Sequence, residues 1–230
     1  MISFKTLQNK SVLTSVVSID RDIDLASKLH KALIKNRCKN ILIVTRESDI
    51  NTIDFWKSRA KIITVPHYDI VSRHNFDKLV LKRQIVLDYA KNNHYDALWF
   101  VDSDIIPKPK TLINLKTKKD ICLAPYQPKW GEGSLVGIKI DSYPYVNIHK
   151  ITSEDKKVPR KSCIVGGFGC TLIMKSCFDV KIEYQMYPDS TDWKGCKIEG
   201  EDVGFFLNCY KAGLTCEYLT RWEQPHYCYK

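Results

Sequence analysis

Ala97-Leu98-Trp99-Phe100-Val101-Asp102-Ser103-Asp104 is the stretch on which the fold turns. An unbroken apolar run of this length, bounded by polar residues, is the pattern of a strand covered on both faces. The run leads straight into two carboxylates separated by one small residue. Charge at the end of a buried strand is costly unless something compensates it. A divalent cation held through oxygen does so, and Mg²⁺ and Mn²⁺ suit carboxylates joined by phosphate oxygens. A turn after a strand also favours Asp and Ser, so the tripeptide takes its meaning from its surroundings.

Upstream, those surroundings alternate. Residues 11–19, SVLTSVVSI, read as a buried β-branched strand. Asp20 or Asp22 then caps a helix to about Asn36, with Ile23, Leu25, Ala26, Leu29, Leu33 and Ile34 on its apolar side. ILIVT at 41–45 is a second strand, and Ser48 or Asp49 opens a short helix carrying Ile53, Phe55 and Trp56. KIITV at 61–65 is a third strand, stopped by Pro66, and residues 77–92 have helical spacing. Strand and helix in strict alternation predict a parallel α/β sheet with right-handed crossovers. Ligands of such sheets sit at the carboxyl ends of the strands. That rule gathers residues 18–21, 45–47, 66–68 and 102–104 around one crevice.

Downstream the texture changes. Pro107, Pro109, Pro125, Pro128, Pro144 and Pro159 punctuate it, with Gly131, Gly133 and Gly137. Strands are expected at 120–124, 134–140 and 163–174, and helices at about 107–116 and 201–212. No linker and no internal repeat separates the halves. The expectation is one domain over 1–230, with 1–104 as its nucleotide-binding half and a smaller, mixed half over 105–230 for acceptor and catalysis.

Bulk composition narrows the class. With 230 residues, 44% hydrophobic and only 10 Gly and 9 Pro, the chain is neither disordered nor collagen-like. No run approaches the ~18 apolar residues of a membrane span, and polar Lys5, Gln8, Asn9 and Lys10 interrupt anything like a signal peptide. A soluble, cytoplasmic protein is expected. Nine cysteines without a Cys-x-x-Cys pair support no zinc ribbon or thioredoxin motif, and read as buried, reduced thiols. The net charge of +10 admits nucleic acid, an anionic membrane or a phosphorylated ligand. Its densest clusters, Lys116, Lys118, Lys119 and Lys156, Lys157, Arg160, Lys161, form no long basic arm.

Three further features carry chemistry. Gly200-Glu201-Asp202 precedes VGFFLNCYKAG, so its acids lie at a helix start, where the dipole favours them and where one of them could also serve as a base. Gly166-Gly167-Phe168-Gly169 lets backbone approach a ligand closely, or simply marks a bulge. It is neither a Walker loop nor a dinucleotide fingerprint. His226, in a terminal Pro-His-Tyr, is a lone histidine, and no His-x-x-x-His or Glu-x-x-His pattern suggests a zinc hydrolase.

In this order, over nearly the whole chain, the features resemble the metal-dependent glycosyltransferases of the GT-A fold, of the Asp-x-Asp type. Among these the chain is similar to small soluble enzymes of large DNA viruses and bacteria, which would place it in a virus-infected host cell. The resemblance implies a central, mostly parallel sheet flanked by helices. It implies transfer of a sugar from a nucleotide-diphosphate donor, UDP-linked by expectation, to a hydroxyl of a glycan or glycoprotein. Asp104 would bind Mn²⁺ or Mg²⁺, with Asp102 on the metal or the donor's ribose and His226 completing the shell. Ser103 is common in its slot. Asp202, beside Glu201, would be the catalytic base of an inverting enzyme or would orient the sugar in a retaining one. Gly167 and Phe168, within 166–169, would line donor and acceptor. Arg83 matches a basic position that faces the diphosphate, and Ser18 and Asp20 would meet base and ribose. Trp130, Trp193 and Tyr126 are candidates for stacking on acceptor sugars, with core packing the alternative for each.

Three other readings compete. A phosphatase with an Asp-x-Asp nucleophile would carry that motif after its first strand, whereas three strands precede it here. A sugar nucleotidyltransferase would carry a Gly-rich basic loop after the first strand, where this chain has Ser18-Ile19-Asp20-Arg21-Asp22. A nucleic-acid-binding module would concentrate basic and aromatic residues on one face, yet the aromatics here sit mostly in apolar runs. No nucleic-acid partner is therefore expected, and only peripheral contact with an anionic membrane.

Overall fold

The computed structural model describes residues 11–66, 76–126, 161–163, 165–191, 197–220, 224, 225 and 227. The expected strand at 134–140, Trp130, Trp193 and His226 lie outside these residues.

The first half forms as its pattern dictates. Strand β1 (Val12–Val17), β2 (Asn40–Arg46), β3 (Lys61–Val65) and β4 (Ala97–Asp102) alternate with α1 (Ile23–Lys35), α2 (Ile50–Trp56) and α3 (Phe76–Asn92). All their pairings are parallel: β1 with β2, β2 with β3, and β1 with β4. β1 is buried at every position because it has neighbours on both sides, whereas β3, at the sheet edge, is mostly half-exposed or exposed.

The second half extends the same sheet. Its elements are α4 (Thr111–Leu115), β5 (Ile121–Leu123), β6 (Lys161–Cys163), β7 (Cys170–Met174), β8 (Gln185–Thr191), β9 (Lys197–Gly200), α5 (Glu201–Lys211) and β10 (Cys216–Tyr218). Among the described residues the sheet has eight strands in the order β3-β2-β1-β4-β7-β5-β10-β6, and β8 pairs antiparallel with β9 in a separate two-stranded sheet. β7 runs antiparallel to both β4 and β5. The architecture is thus α/β with a mostly parallel sheet flanked by helices, as expected.

Both faces of the sheet are covered, and the period-2 alternation of β4 shows how. Leu98 and Phe100 join the core under α3 and α5, with Val86, Leu87, Phe168, Phe205 and Phe206. Ala97, Trp99 and Val101 join the opposite core, with Leu29 and Leu33 of α1 and Leu112 and Leu115 of α4. Trp99 and Phe100 are fully buried and contribute about 2–3 kcal/mol each by apolar transfer.

Several expectations are corrected. The strand expected at 163–174 is two strands, β6 and β7, with the glycines as the turn between them. The helix expected at 107–116 shrinks to α4, because Pro107 and Pro109 occupy a turn that Asn36 clamps: its Nδ2 donates to the Lys108 carbonyl at 3.0 Å and its Oδ1 accepts the Leu112 N–H at 3.1 Å. Ile34 is 53% exposed and lies off the apolar side of α1. Neither Asp22 nor Asp49 caps its own helix through its side chain. The cap of α2 comes instead from Asp20, whose Oδ1 accepts the Thr52 N–H at 2.8 Å and whose Oδ2 accepts Asn51 Nδ2 at 3.2 Å.

Among the described residues Cys38, Cys122, Cys163, Cys170, Cys177, Cys209 and Cys216 are buried and form no disulfide, in line with the reading of core thiols. Burial pushes the Cys38 thiol up to about 11 and Cys170 up to about 12.

Candidate active site

The site forms where β4 ends. Asp102 is the last residue of β4, and its N–H donates to the Gly169 carbonyl at 2.9 Å, so the glycine turn lies directly against it. The chain then turns, with the Ile105 N–H donating to the Asp102 carbonyl at 3.0 Å. Ser103 and Asp104 are buried in that turn. Ser103 Oγ donates to Asp22 Oδ2, which anchors the turn to the chain after β1. The Asp104 carbonyl accepts the Tyr227 N–H at 2.9 Å, and the Ile106 N–H donates to the Pro225 carbonyl at 3.1 Å. Pro225 and Tyr227 therefore lie against the Asp-x-Asp turn.

Arg83 organises the centre. Its Nη2 donates to Asp102 Oδ1 at 3.0 Å and its Nε to Glu201 Oε1 at 3.1 Å. It is buried, and its guanidinium lies 4.6 Å from the centroid of the Phe168 ring and 5.6 Å from that of Phe100. Aromatic faces favour a cation there. One guanidinium thus ties α3, the end of β4 and the start of α5 together. Burial opposes its charge, but Asp102 and Glu201 outweigh burial and hold its pKa above the usual value.

Asp202 follows Glu201 in the first turn of α5. Its Oδ1 accepts its neighbour Val203's N–H at 2.8 Å. Burial and then the Glu201 charge push its carboxyl up from 3.8 to about 7, against the pull of the Val203 N–H and Arg83. Gly200, at φ 154° and ψ 176°, is required here: a Cβ would also meet Asp202 Oδ1 at 2.6 Å. Gly169 is required for a different reason, since a Cβ there would come within 2.5 Å of the Tyr126 ring.

The structure therefore brings Arg83, Asp102, Glu201, Asp202, Phe168 and the glycine turn into one cluster, with Ser103 and Asp104 beside it. It gives several of them supporting parts. Phe168 is 1% exposed and packs with Phe100, Phe205 and Phe206 beneath Arg83, so its ring carries the guanidinium and does not face the crevice. The Gly167 carbonyl accepts Thr171 Oγ1 at 2.6 Å, which fixes the turn. Tyr126 is a core residue whose hydroxyl accepts the Gly169 N–H at 3.3 Å. Asp20 caps α2, as described. Ser18 is buried after β1, its N–H on the Val44 carbonyl at 3.1 Å and its carbonyl accepting Thr45 Oγ1 at 2.9 Å.

Other contributors were not foreseen. Asp22 anchors Ser103, and Gln224 Oε1 accepts both the Lys108 N–H at 2.8 Å and Thr111 Oγ1 at 3.0 Å. Asp49 accepts Thr45 Oγ1 at 2.9 Å and the Arg46 N–H at 3.0 Å, and pairs with the Arg46 guanidinium. Burial would raise the Asp49 carboxyl, but these hydrogen bonds outweigh it and hold it at about 2. An acid shortly after each of β1 and β2 is the signal available in the sequence. Among the described residues no cluster of three or more His, Cys, Asp or Glu is placed to hold a metal ion. Asp102 Oδ2, however, accepts no hydrogen bond among the described residues.

No protein-family model matches the chain. It is 27% identical over 146 residues to the uncharacterized protein H233R of African swine fever virus, a match spanning 54% of this chain and 60% of that protein. Among solved structures, A197 from STIV overlays with a TM-score of 0.50 at 16% identity, covering 95% of this chain and 86% of that one. A mycobacterial protein overlays at 0.54 and 11% identity, covering 100% of this chain and 73% of that one. These likenesses show a shared fold. A nucleoside-diphosphate-sugar pyrophosphorylase from Vibrio cholerae overlays at 0.48 with 10% identity, covering 90% of this chain and 91% of that one, and decides nothing further. No helix among the described residues is long and apolar enough to cross a membrane.

Proposed function

We propose that the chain is a glycosyltransferase of the GT-A kind, moving a sugar from a nucleotide-diphosphate donor, UDP-linked by preference, to a hydroxyl of a glycan or glycoprotein. The observation that carries this is the Arg83 bridge from Asp102 to Glu201, which sets a carboxyl of raised pKa, Asp202, beside the Asp-x-Asp turn. A general base works best with a pKa near the working pH. Ionised Asp202 accepts the proton of the attacking hydroxyl, its Oδ1 held by the Val203 N–H, while Arg83 holds Glu201 beside it. The viral source of the relatives supports a place in an infected cell, and the parallel sheet supports the division at residue 104 within one domain.

The donor set fits a hard divalent cation. Asp102 Oδ2 accepts no hydrogen bond among the described residues and the Asp104 carboxylate follows two residues on, so these two would hold Mn²⁺ or Mg²⁺, with His226 as the third candidate. Such ions keep waters and phosphate oxygens as their remaining ligands. When bound, the ion neutralises charge on the departing diphosphate. A panel of nucleotide sugars tested for thermal stabilisation with and without Mn²⁺ examines the reading, because a ligand of the native state raises the melting temperature by mass action. Stabilisation by one nucleotide sugar only with metal supports it; stabilisation by none opposes it.

A further inference from the structure

Beside Arg83 on α3 is a second buried cation. Lys82 is 5% exposed. Among the described residues it makes no hydrogen bond and no ion pair, although a buried ammonium without a partner is costly. Its charged surroundings are Asp49, which favours its charge, and Arg46, which opposes it; burial is the largest influence and brings it down to about 8. Asp49 is not available as its partner. That carboxylate already accepts Thr45 Oγ1, the Arg46 N–H, the Asp20 N–H and the Arg46 guanidinium.

Position gives this cation its meaning. Arg46 is the last residue of β2, as Asp102 is the last of β4, and β1 lies between those two strands. On α3, Arg83 pairs with Asp102 at the end of β4, while the charges that act on its neighbour Lys82 are Asp49 and Arg46 at the end of β2, on the other side of β1. Neighbouring strands are about 4.8 Å apart, so the two sides are separated by roughly 10 Å. That span suits a ligand whose diphosphate begins near Asp102 and whose nucleoside end extends over β1 towards β2.

We propose that Lys82 is a phosphate-binding residue of the donor site, taking the phosphate on the nucleoside side of a nucleoside diphosphate. The proposal rests on the nucleotide-sugar reading above. An anion there supplies the partner that the ammonium lacks among the described residues, as a preorganised phosphate-binding group would need.

The test uses inorganic pyrophosphate, which has neither base nor sugar, with Mn²⁺ and the full chain. Calorimetry compares the parent with Lys82→Met, and thermal melting is recorded for both without ligand. The expected result is at least tenfold weaker pyrophosphate binding by Lys82→Met, with a melting temperature equal to or above the parent's, since the variant removes a buried charge that has no partner among the described residues. Equal affinity in the two proteins, or a melting temperature several degrees lower in the variant, overturns the proposal. A second measurement needs no variant. In the parent labelled with ¹³C at lysine Cε, pyrophosphate raises the titration midpoint of Lys82, and an unchanged midpoint overturns the proposal. Failure of the parent itself to bind pyrophosphate or any nucleotide sugar counts against the transferase reading, whereas binding that ignores Lys82 counts against this proposal alone.

Discussion

Replacing Asp202 by Asn removes one ionisation and little else, because Asn keeps the oxygen that accepts the Val203 N–H. In the folded chain the Asp202 carboxyl is raised from 3.8 to about 7, by burial first and by Glu201 second. A rise of about three units corresponds to a ceiling of about 4 kcal/mol. Asp202 is partly open to solvent, which screens the effect, so about 2 kcal/mol is expected. The sign follows from linkage. With its folded pKa above its unfolded value, native Asp202 holds a proton between about pH 4 and pH 7 that the unfolded chain has released. The parent therefore loses stability from this group as pH rises through that window, and the loss levels off above about pH 8. Asp202→Asn has no such slope. Urea unfolding from pH 4 to pH 8, with chelator present, should show the two proteins nearly equal at pH 4 and the variant ahead by about 2 kcal/mol at pH 8. A variant less stable at pH 8, or a difference that does not change with pH, refutes the assignment of a raised carboxyl at Asp202.

Arg83→Met leaves Asp102, Glu201 and Asp202 without their shared cation, and should destabilise the fold by about 3–5 kcal/mol at pH 8 and by less at pH 5, read by urea unfolding. Gly169→Ala forces a methyl against the Tyr126 ring 2.5 Å away, and should cost about 1–3 kcal/mol in the same assay.

The fold was legible where local pattern and tertiary environment agree. SVLTSVV, ILIVT and ALWFV are apolar because they are interior strands of a sheet covered on both faces, and that cause leaves its mark on each residue. The pattern also ended α5 correctly, since Gly213 with φ 75° stops it. It failed where long-range contacts decide. α4 is short because Asn36, from the end of α1, seizes the turn before it. Asp20 caps a helix other than the one that follows it, which no local rule finds. Within the site, the acids at 102, 201 and 202 were visible because charge beside apolar runs stands out. The part played by Phe168 was not, since a ring next to glycines looks the same whether it faces a ligand or carries an arginine. Lys82 was hidden for a related reason: in a helix of mixed sequence nothing marks which of two adjacent cations is buried.

The central claim is a metal-dependent nucleotide site at the Asp-x-Asp turn, and calorimetry of UDP binding to the parent and to Asp104→Ala tests it most directly. The account predicts that the parent binds UDP with Mn²⁺ present and at least tenfold more weakly with chelator, and that Asp104→Ala binds weakly under both conditions. Equal, metal-dependent affinity in the two proteins would contradict it.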